Sequence, residues 1–575
     1  MAPEPMTSKR NRRTIRTGIT LLVLAGIVIL LSIGFHLATD VRPPVIADTS
    51  SLALKAEQPD TDFFRIGSNW LKKSRSGLWE MYIEGKPFDR GVIIGKLSER
   101  LIYGQEKAFV GRIRELVPSP FYQRFLKYFI YWFNRNLDRY IAEEYLQEIY
   151  GVSFSASAEF SFIGEPYQRL LNYHSAHDIG HALQDLSLVG CTSFGAWSGM
   201  TRDRNLIVGR NFDFYAGDDF AKNKIVCFVK PDSGYRFMMV TWGGMTGAVS
   251  GMNEKGLTVT INAAKSRIPY SARTPISLVT REILQYASNL REAYRIACSR
   301  ETFVSESILV GSAADNKAVV FEKSPYRIEW LESGSDYIVC ANHFRSKPFL
   351  ADPLNAKDMR ENASVYRYRR VLQALTDERP LDPEGVARIL RDRTGLNGRD
   401  IGMGNEKAVN QLIAHHSVIF EPVKRRVWVS AGPWQEGSYV CYDISDIFNN
   451  FAGLDKKAEI TEPELEIAPD PFLATGQYQD LLRFRESRDS MKAFLQRKDR
   501  RKLPDSSVHL LTALNPEFYE GYELAGDYYD RLNLTDSSLR SYRAALSKEI
   551  PRQAEKERII RKLTDQIWKK RQTEK

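Results

Sequence analysis

A chain of 575 residues with 43% hydrophobic and 26% charged side chains is too long for one ordinary domain and too apolar to be disordered. Its net charge of +10 resides in its ends: the first 20 residues carry +4 and the last 25 carry +5, leaving +1 for the whole middle. That excludes a basic stripe for a phosphate backbone, so no nucleic-acid partner is expected.

Residues 1–17 are a basic tail containing Lys9, Arg10, Arg12, Arg13 and Arg16. Residues 18–38 form an apolar run without Asp, Glu, Lys or Arg. At roughly 1.5 Å per residue this run can cross a hydrocarbon core of about 30 Å. No comparable basic cluster follows closely, so the positive-inside rule puts the N-terminus in the cytoplasm and everything after residue 40 outside. A cleaved signal peptide is the rival reading. Against it, the run exceeds the usual ~7–15-residue apolar region and no clean small-x-small site follows. The expectation is a single-pass anchor in the cytoplasmic (inner) membrane with an extracytoplasmic catalytic domain.

Residues 39–61, bearing Pro and Asp, read as a linker, and residues 62–190 as a mostly helical pro-segment. From about residue 204 the texture turns to β-branched and aromatic runs: Asn205–Arg210, Lys224–Val229 and Arg236–Thr241 are strand-like. Thr246 to Ala264 reads as a hairpin turning at Asn253-Glu254-Lys255-Gly256, and His416 to Trp434 as another. Helical patterns interrupt at about 276–298 and 361–376, so sheets covered by helices are expected within residues 191–450. Residues 451–470 read as an acidic linker and 471–575 as helical. In this last region Tyr522, Gly526, Tyr529, Tyr542, Ala545 and Pro551 sit near the spacing of one tetratricopeptide repeat. Two uses are open for these helices: packing on the main domain, or presenting a surface to a protein partner.

Five cysteines, with no Cys-x-x-Cys pair, suit neither a disulfide framework nor a structural zinc site. His174, His177 and His181 lack the Glu of a His-Glu-x-x-His motif, so no metal is expected. Trp242-Gly243-Gly244-Met245-Thr246-Gly247 lacks the Gly-Lys-Ser/Thr of a P-loop and reads as a tight turn, and no cofactor is called for.

The chemistry gathers around Val189-Gly190-Cys191-Thr192-Ser193. A lone cysteine is by default a small buried hydrophobe, but the context downstream is ordered. Arg210-Asn211-Phe212-Asp213 ends a strand, Asn253-Glu254-Lys255-Gly256-Leu257 leads to Asn262, and Ala341-Asn342-His343 and Ser364-Val365-Tyr366-Arg367 follow. Upstream stand Glu84-Gly85-Lys86-Pro87-Phe88-Asp89-Arg90-Gly91 and Gly95; His416–Phe420 with Val427–Ser430 close the series. Over residues 78–435 the chain resembles the choloylglycine hydrolase and acyl-CoA:isopenicillin N acyltransferase group of N-terminal nucleophile hydrolases. The acyltransferase branch is closer, because Cys191 is internal.

The resemblance implies an α+β fold, a four-layer αββα sandwich, whose Gly190–Cys191 bond is cleaved by the chain itself to expose Cys191 as nucleophile. It also implies the companions. Asp213 would accept a hydrogen bond from the new amine, and Arg210 would supply positive charge beside the thiol. Asn262 and Asn342 would donate to the oxyanion, and Arg367 would complete the charge network. The chemistry is self-consistent. A thiol of pKa near 8.5 is mostly protonated at neutral pH, whereas a freed α-amine of about 7.7–8.0 is well placed to act as its base. Gly190, without a Cβ, suits the strained turn an N-to-S acyl shift requires.

From the residues alone, Arg210 and Asp213 also fit a strand-end ion pair, Asn262 a turn cap and Asn342 a loop position. Arg367, near Arg369 and Arg370, also fits a solvated helix face. The function expected is that of a membrane-anchored amidohydrolase or acyltransferase forming an acyl-thioester on Cys191. Its partners would be a small-molecule acyl amide, or an acyl donor with an amine acceptor. Hydrolysis is favoured, because acyl-CoA is a cytosolic donor. The alternative is a binding or scaffold protein with a degenerate fold of this kind, presenting its C-terminal helices to a partner.

Overall fold

The β-branched and aromatic runs of the middle of the chain pair into two sheets. The computed structural model describes residues 7–175, 178, 190–214, 217–497 and 503–573. His177, His181 and Val189 lie outside them. Among the described residues the larger sheet has eleven strands. In spatial order they are Glu57–Asp60, Phe63–Ile66, Asn69–Lys73, Trp79–Gly85, Ile225–Pro231, Phe237–Thr241, Ser250–Asn253, Leu257–Ala263, Glu306–Ser312, Lys317–Ser324 and Arg327–Leu331. All neighbours are antiparallel except Trp79–Gly85 beside Ile225–Pro231. The smaller sheet runs Tyr337–Cys340, Thr192–Ala196, Ile207–Phe212, His416–Glu421, Arg426–Ser430 and Tyr439–Asp443. Both expected hairpins form, the first with Gly256 at φ +72° in its turn.

Period-two alternation sends successive side chains to opposite faces. Val226, Phe228, Met238 and Val240 meet Val208, Val418, Phe420 and Val427 of the smaller sheet in one apolar cluster. Cys227, Val229, Met239 and Ile261 instead pack with Ile93, Leu97, Ile149 and Ile283, from the helices Pro87–Leu116, Glu143–Ser153 and Ile276–Tyr286. On the far side of the smaller sheet, Phe194, Ile207 and Ile419 meet Val371, Leu375 and Val386 from the helices Ser364–Asp377 and Pro383–Leu390.

The reading of residues 62–190 as helical is corrected at its start. Residues 63–85 are three strands of the larger sheet, and helix begins only at Pro87. The strands are four to seven residues long, too short for their alternation to stand out from helical periodicity. Residues 39–61, read as linker, contribute a buried Val41 and the edge strand Glu57–Asp60. The two halves flanking Cys191 are also tied electrostatically. Arg90 donates to Glu148 at 2.8 and 3.0 Å, and Arg281 from the later half reaches the same carboxylate at 3.3 and 3.4 Å. All three side chains are buried, and the shared charge holds Glu148 below its ordinary range against the upward push of burial. Gly91 lets the two helices of this half touch backbone to backbone, since a Cβ there would lie 2.0 Å from the Glu148 carbonyl oxygen.

The helix Thr7–Thr39 contains one stretch, Ile19–Thr39, apolar enough to cross a membrane, with mean hydropathy 2.6, and it meets the rest of the protein only near its C-terminal end. The C-terminal region is helical, over Gly476–Gln496, Asp505–Ala513, Tyr519–Arg531, Thr535–Leu546 and Gln553–Thr573. It encloses a core of its own around Phe484, Leu511, Tyr528 and Tyr542. All five cysteines are free thiols, and Cys298 alone is exposed. His174 is occupied structurally: its Nδ1 lies 2.9 Å from the Leu170 carbonyl, and its Nε2 accepts from the Thr246 amide at 3.0 Å.

Candidate active site

Strand register brings the nucleophile candidate and its arginine together. Ser193 faces Arg210 across the pair formed by Thr192–Ala196 and Ile207–Phe212, and Cys191 lies two residues before Ser193 on the same side. That side points at the larger sheet. Arg210 donates to the Cys191 sulfur at 3.6 Å, to the carbonyls of Val249 at 2.7 Å and Ile261 at 2.5 Å, and to Ser250 Oγ. Its guanidinium also stacks 4.4 Å over the Phe212 ring. A buried guanidinium needs such partners, because an isolated charge in this interior would cost several kcal/mol.

Asp213 follows directly after Phe212, the last residue of that strand. Its backbone carbonyl accepts from the Gly190 amide at 3.0 Å. Oδ2 accepts from Gln411 Nε2 at 3.1 Å, and the buried Oδ1 has no hydrogen-bond partner among the described residues. The same Gln411 nitrogen donates to the Gly190 carbonyl oxygen at 2.6 Å. Gln411 therefore bridges the carboxylate and the carbonyl of the Gly190–Cys191 bond. Sequence reasoning missed this residue, which sits in a loop with no motif of its own.

Asn262 accepts from Ser193 Oγ at 2.9 Å and donates to the Cys340 carbonyl at 3.1 Å. It is fully buried between the two sheets, so a surface turn cap is excluded. Asn342 follows the edge strand Tyr337–Cys340, donates to the Ala263 carbonyl at 3.1 Å and accepts from Arg367 Nη2 at 2.5 Å. Arg367 also donates to the Glu406 carbonyl at 2.7 Å and is only 3% exposed, not on a solvated face. Cys191, Arg210 and Asp213 thus stand together, Asn262 is joined to the nucleophile strand through Ser193, and Asn342 and Arg367 pair beside them.

Burial dominates the electrostatics. The Cys191 thiol is pushed up to about 11 by burial, which outweighs the lowering by Arg210, so the charge of Arg210 does not by itself make a thiolate in the uncut chain. The Asp213 carboxyl is raised to about 7 by burial, opposed by Arg367 and then Arg210. Its folded value therefore exceeds its unfolded one near 3.8, and ionising it costs stability that is lost as pH rises through that window. The thermal midpoint of uncut Cys191→Ala should accordingly fall between about pH 4 and 7, and the fall should shrink in Cys191→Ala/Asp213→Asn. Equal slopes would mean that Asp213 is not the group titrating.

The loop carrying Gln411 is held by the C-terminal helices. Glu406 takes a two-point ion pair from Arg552 at 2.8 and 2.9 Å, and Asn405 donates to the Glu549 carbonyl at 2.8 Å. The Met403 amide donates to Asn515 at 3.0 Å, and Arg485 donates to the Leu412 carbonyl at 2.6 Å. On the other side of Phe212, whose ring stacks 6.4 Å from Trp242, lies a partly open apolar cleft. Phe109, Tyr173, Phe214, Phe220, Trp242 and Met245 line it. Trp242–Gly244 is the tight turn expected, with Gly244 at φ +82°.

Residues 200–435 match the family model of acyl-coenzyme A:6-aminopenicillanic acid acyl-transferase. An uncharacterized protein of Archaeoglobus fulgidus is 25% identical over 305 residues, which are 47% of this chain and 50% of that protein. Protein dcd1B of Dictyostelium discoideum is 22% identical over 263 residues, 42% of this chain and 50% of its own length. The chain thus spans about half the length of these curated relatives. Among solved structures, the Caenorhabditis elegans ortholog of N-acylethanolamine-hydrolyzing acid amidase aligns with a TM-score of 0.30 and 18% identity, over 40% of this chain and 93% of that one. A variant of conjugated bile acid hydrolase from Clostridium perfringens aligns with a TM-score of 0.31 and 12% identity, over 47% and 98%. The matched segment begins after Cys191 and takes in Arg210, Asp213, Asn262, Asn342 and Arg367. The likeness read from the motifs holds over this span: residues 200–435 are similar to the acyl-coenzyme A:6-aminopenicillanic acid acyl-transferase family.

Proposed function

We propose that the protein is an N-terminal-cysteine amidohydrolase or acyltransferase that matures by cutting its own Gly190–Cys191 bond. The observation that carries this reading is the handling of that one peptide. Its carbonyl is bonded by Gln411, its sulfur by Arg210, and a buried carboxylate oxygen of Asp213 stands beside it without a partner among the described residues. In self-cleavage the Cys191 sulfur attacks the Gly190 carbonyl carbon, the C–N bond breaks, and the thiol proton ends on the departing amine. Water then hydrolyses the Gly190 thioester, leaving a carboxylate and a free thiol. The new α-amine donates to Asp213 Oδ1; its protonated form lowers the neighbouring thiol, and its free form serves as the base that takes the thiol proton.

In turnover the thiol proton passes to the α-amine as sulfur attacks the acyl carbonyl. The leaving amine takes that proton, and water or an acceptor amine discharges the acyl-thioester. Asn262 and Asn342 are the oxyanion donors in this reading, each contributing roughly 3–4 kcal/mol. The cleft beyond Phe212 suits an apolar acyl group. The clusters on both faces of both sheets support the four-layer αββα arrangement. The shared sheet and the Arg90–Glu148–Arg281 network support a first chain that stays attached after cleavage. The span supports a membrane anchor, the basic residues before it support a site outside, and the helical C-terminal region supports a repeat-like buttress for the Gln411 loop.

The test supplies N-acyl amides to the purified protein with and without an amine acceptor, and reads acid, transferred amide and acyl-Cys191 by mass spectrometry. Acid production with acyl label on Cys191 is expected, and label appearing equally on Cys191→Ala would sink the reading. A transferred amide outweighing acid would make it a transferase.

A further inference from the structure

The helix Pro120–Phe133 leaves six aromatic rings in the open. Phe121, Tyr122, Phe125, Tyr128, Phe129 and Trp132 are 41–75% exposed. Positions 121, 125, 128 and 132 recur at steps of four, three and four, so they form one stripe along the helix. Tyr122 and Phe129, seven apart, run beside it. Tyr131 and Phe133 point the other way and are buried. The stripe offers roughly 500–800 Å² of ring surface to its surroundings, as much as or more than the largest apolar patch of a typical soluble monomer.

Its neighbour says what covers it. Phe35, in the last turn of the apolar span, meets Tyr128 edge-on at 5.5 Å and stacks on Trp132 at 6.2 Å. Phe35 precedes Thr39 by four residues, about 6 Å of helix rise, so the two rings lie at the depth where a spanning helix leaves the hydrocarbon. The end of the span is itself fixed to the body. The Thr39 carbonyl accepts from Gln168 at 2.7 Å, and Val41 is buried in the core. The stripe's flanks are cationic. Arg124 is exposed, Arg135 stacks on Trp132 at 4.5 Å, and Lys127 donates to the Phe162 carbonyl at 2.7 Å. Aromatic rings flanked by Arg and Lys beside a span are the composition of a helix lying in the headgroup region.

We propose that the helix Pro120–Phe133 lays its aromatic stripe on the lipid bilayer next to the span, seating the body on the membrane surface instead of suspending it from a tether. This is independent of the chemistry at Cys191 and rests on residues 19–39 crossing the membrane. The test uses the full chain reconstituted in phosphatidylcholine vesicles, with or without bromine on the headgroup end of the acyl chains. The nine tryptophans include none in the span, so the emission lost in Trp132→Phe is that of Trp132, and the conservative ring keeps the fold. Trp132 emission should fall by about half or more in brominated vesicles, as expected for a ring at that depth. An emission equal in both lipids overturns the proposal, whether the stripe faces water or a second copy of the chain, and cross-linking identifies the second case. A chain that fails to float with the vesicles overturns it as well.

Discussion

Cys191→Ala should remain one chain on a denaturing gel, whereas the wild type separates into two, the second beginning at Cys191. In the proposed self-cleavage the thiol is the attacking group: it is fully buried, lies 3.6 Å from Arg210, and follows the peptide carbonyl that Gln411 holds. No other cysteine can replace it. Cys227, Cys340 and Cys441 are buried within other strands, and Cys298 sits at the surface on the helix Leu290–Ser299. Turnover in Cys191→Ala should fall at least about 10³-fold, since removing a covalent nucleophile costs up to about 10⁶-fold in comparable sites. Cys191→Ser keeps an oxygen in place of sulfur and should cleave slowly. A wild type that stays whole under conditions supporting turnover would remove self-processing from the account while leaving the nucleophile to be tested by acyl labelling.

The parts of this site that were legible in the sequence are those a local pattern encodes. Arg210 and Asp213 stand three apart at the end of a strand whose composition announces it, and the hairpin before Asn262 carries its own turn residues. Arg367 shows a limit of composition. Beside Arg369 and Arg370 it reads as surface, yet at about 100° per residue Arg369 turns outward while Arg367 turns in, to Asn342 and Glu406, and Arg370 pairs with Asp392. The strands of residues 63–85 were hidden for a different reason. They pair with one another, but only Trp79–Gly85 joins them to the rest of the sheet, through Ile225–Pro231 some 140 residues later, a pairing that no local window contains. Gln411 is the extreme case. It meets Gly190 across 221 residues of chain, from a loop held in place by helices beyond residue 476.

That distance makes Gln411 the sharpest test of the arrangement. Gln411→Ala should slow cleavage of Gly190–Cys191 by about 10²–10³-fold, the usual consequence of deleting one donor to a developing oxyanion. At 2.6 Å its amide already donates to the oxygen that becomes negative as sulfur adds to the carbonyl carbon. Gln411→Glu replaces that donor with an acceptor at nearly constant volume, so it should be as slow, which separates loss of the hydrogen bond from loss of packing. Gly190→Ala approaches the same contact from the other side. A Cβ there would come within 2.6 Å of the Gln411 nitrogen and drive the amide off the carbonyl. Once the bond is cut, the Gly190 carbonyl is no longer a reacting group, and Gln411 is left with Asp213. Mature Gln411→Ala protein should therefore turn over substrate far closer to wild type than its cleavage rate suggests. The measurement is the time course of the two-chain form after synthesis, set against activity per mature chain. Cleavage at the wild-type rate would assign polarisation of the scissile carbonyl to another donor. Equal losses in both rates would make Gln411 a support for Asp213 alone.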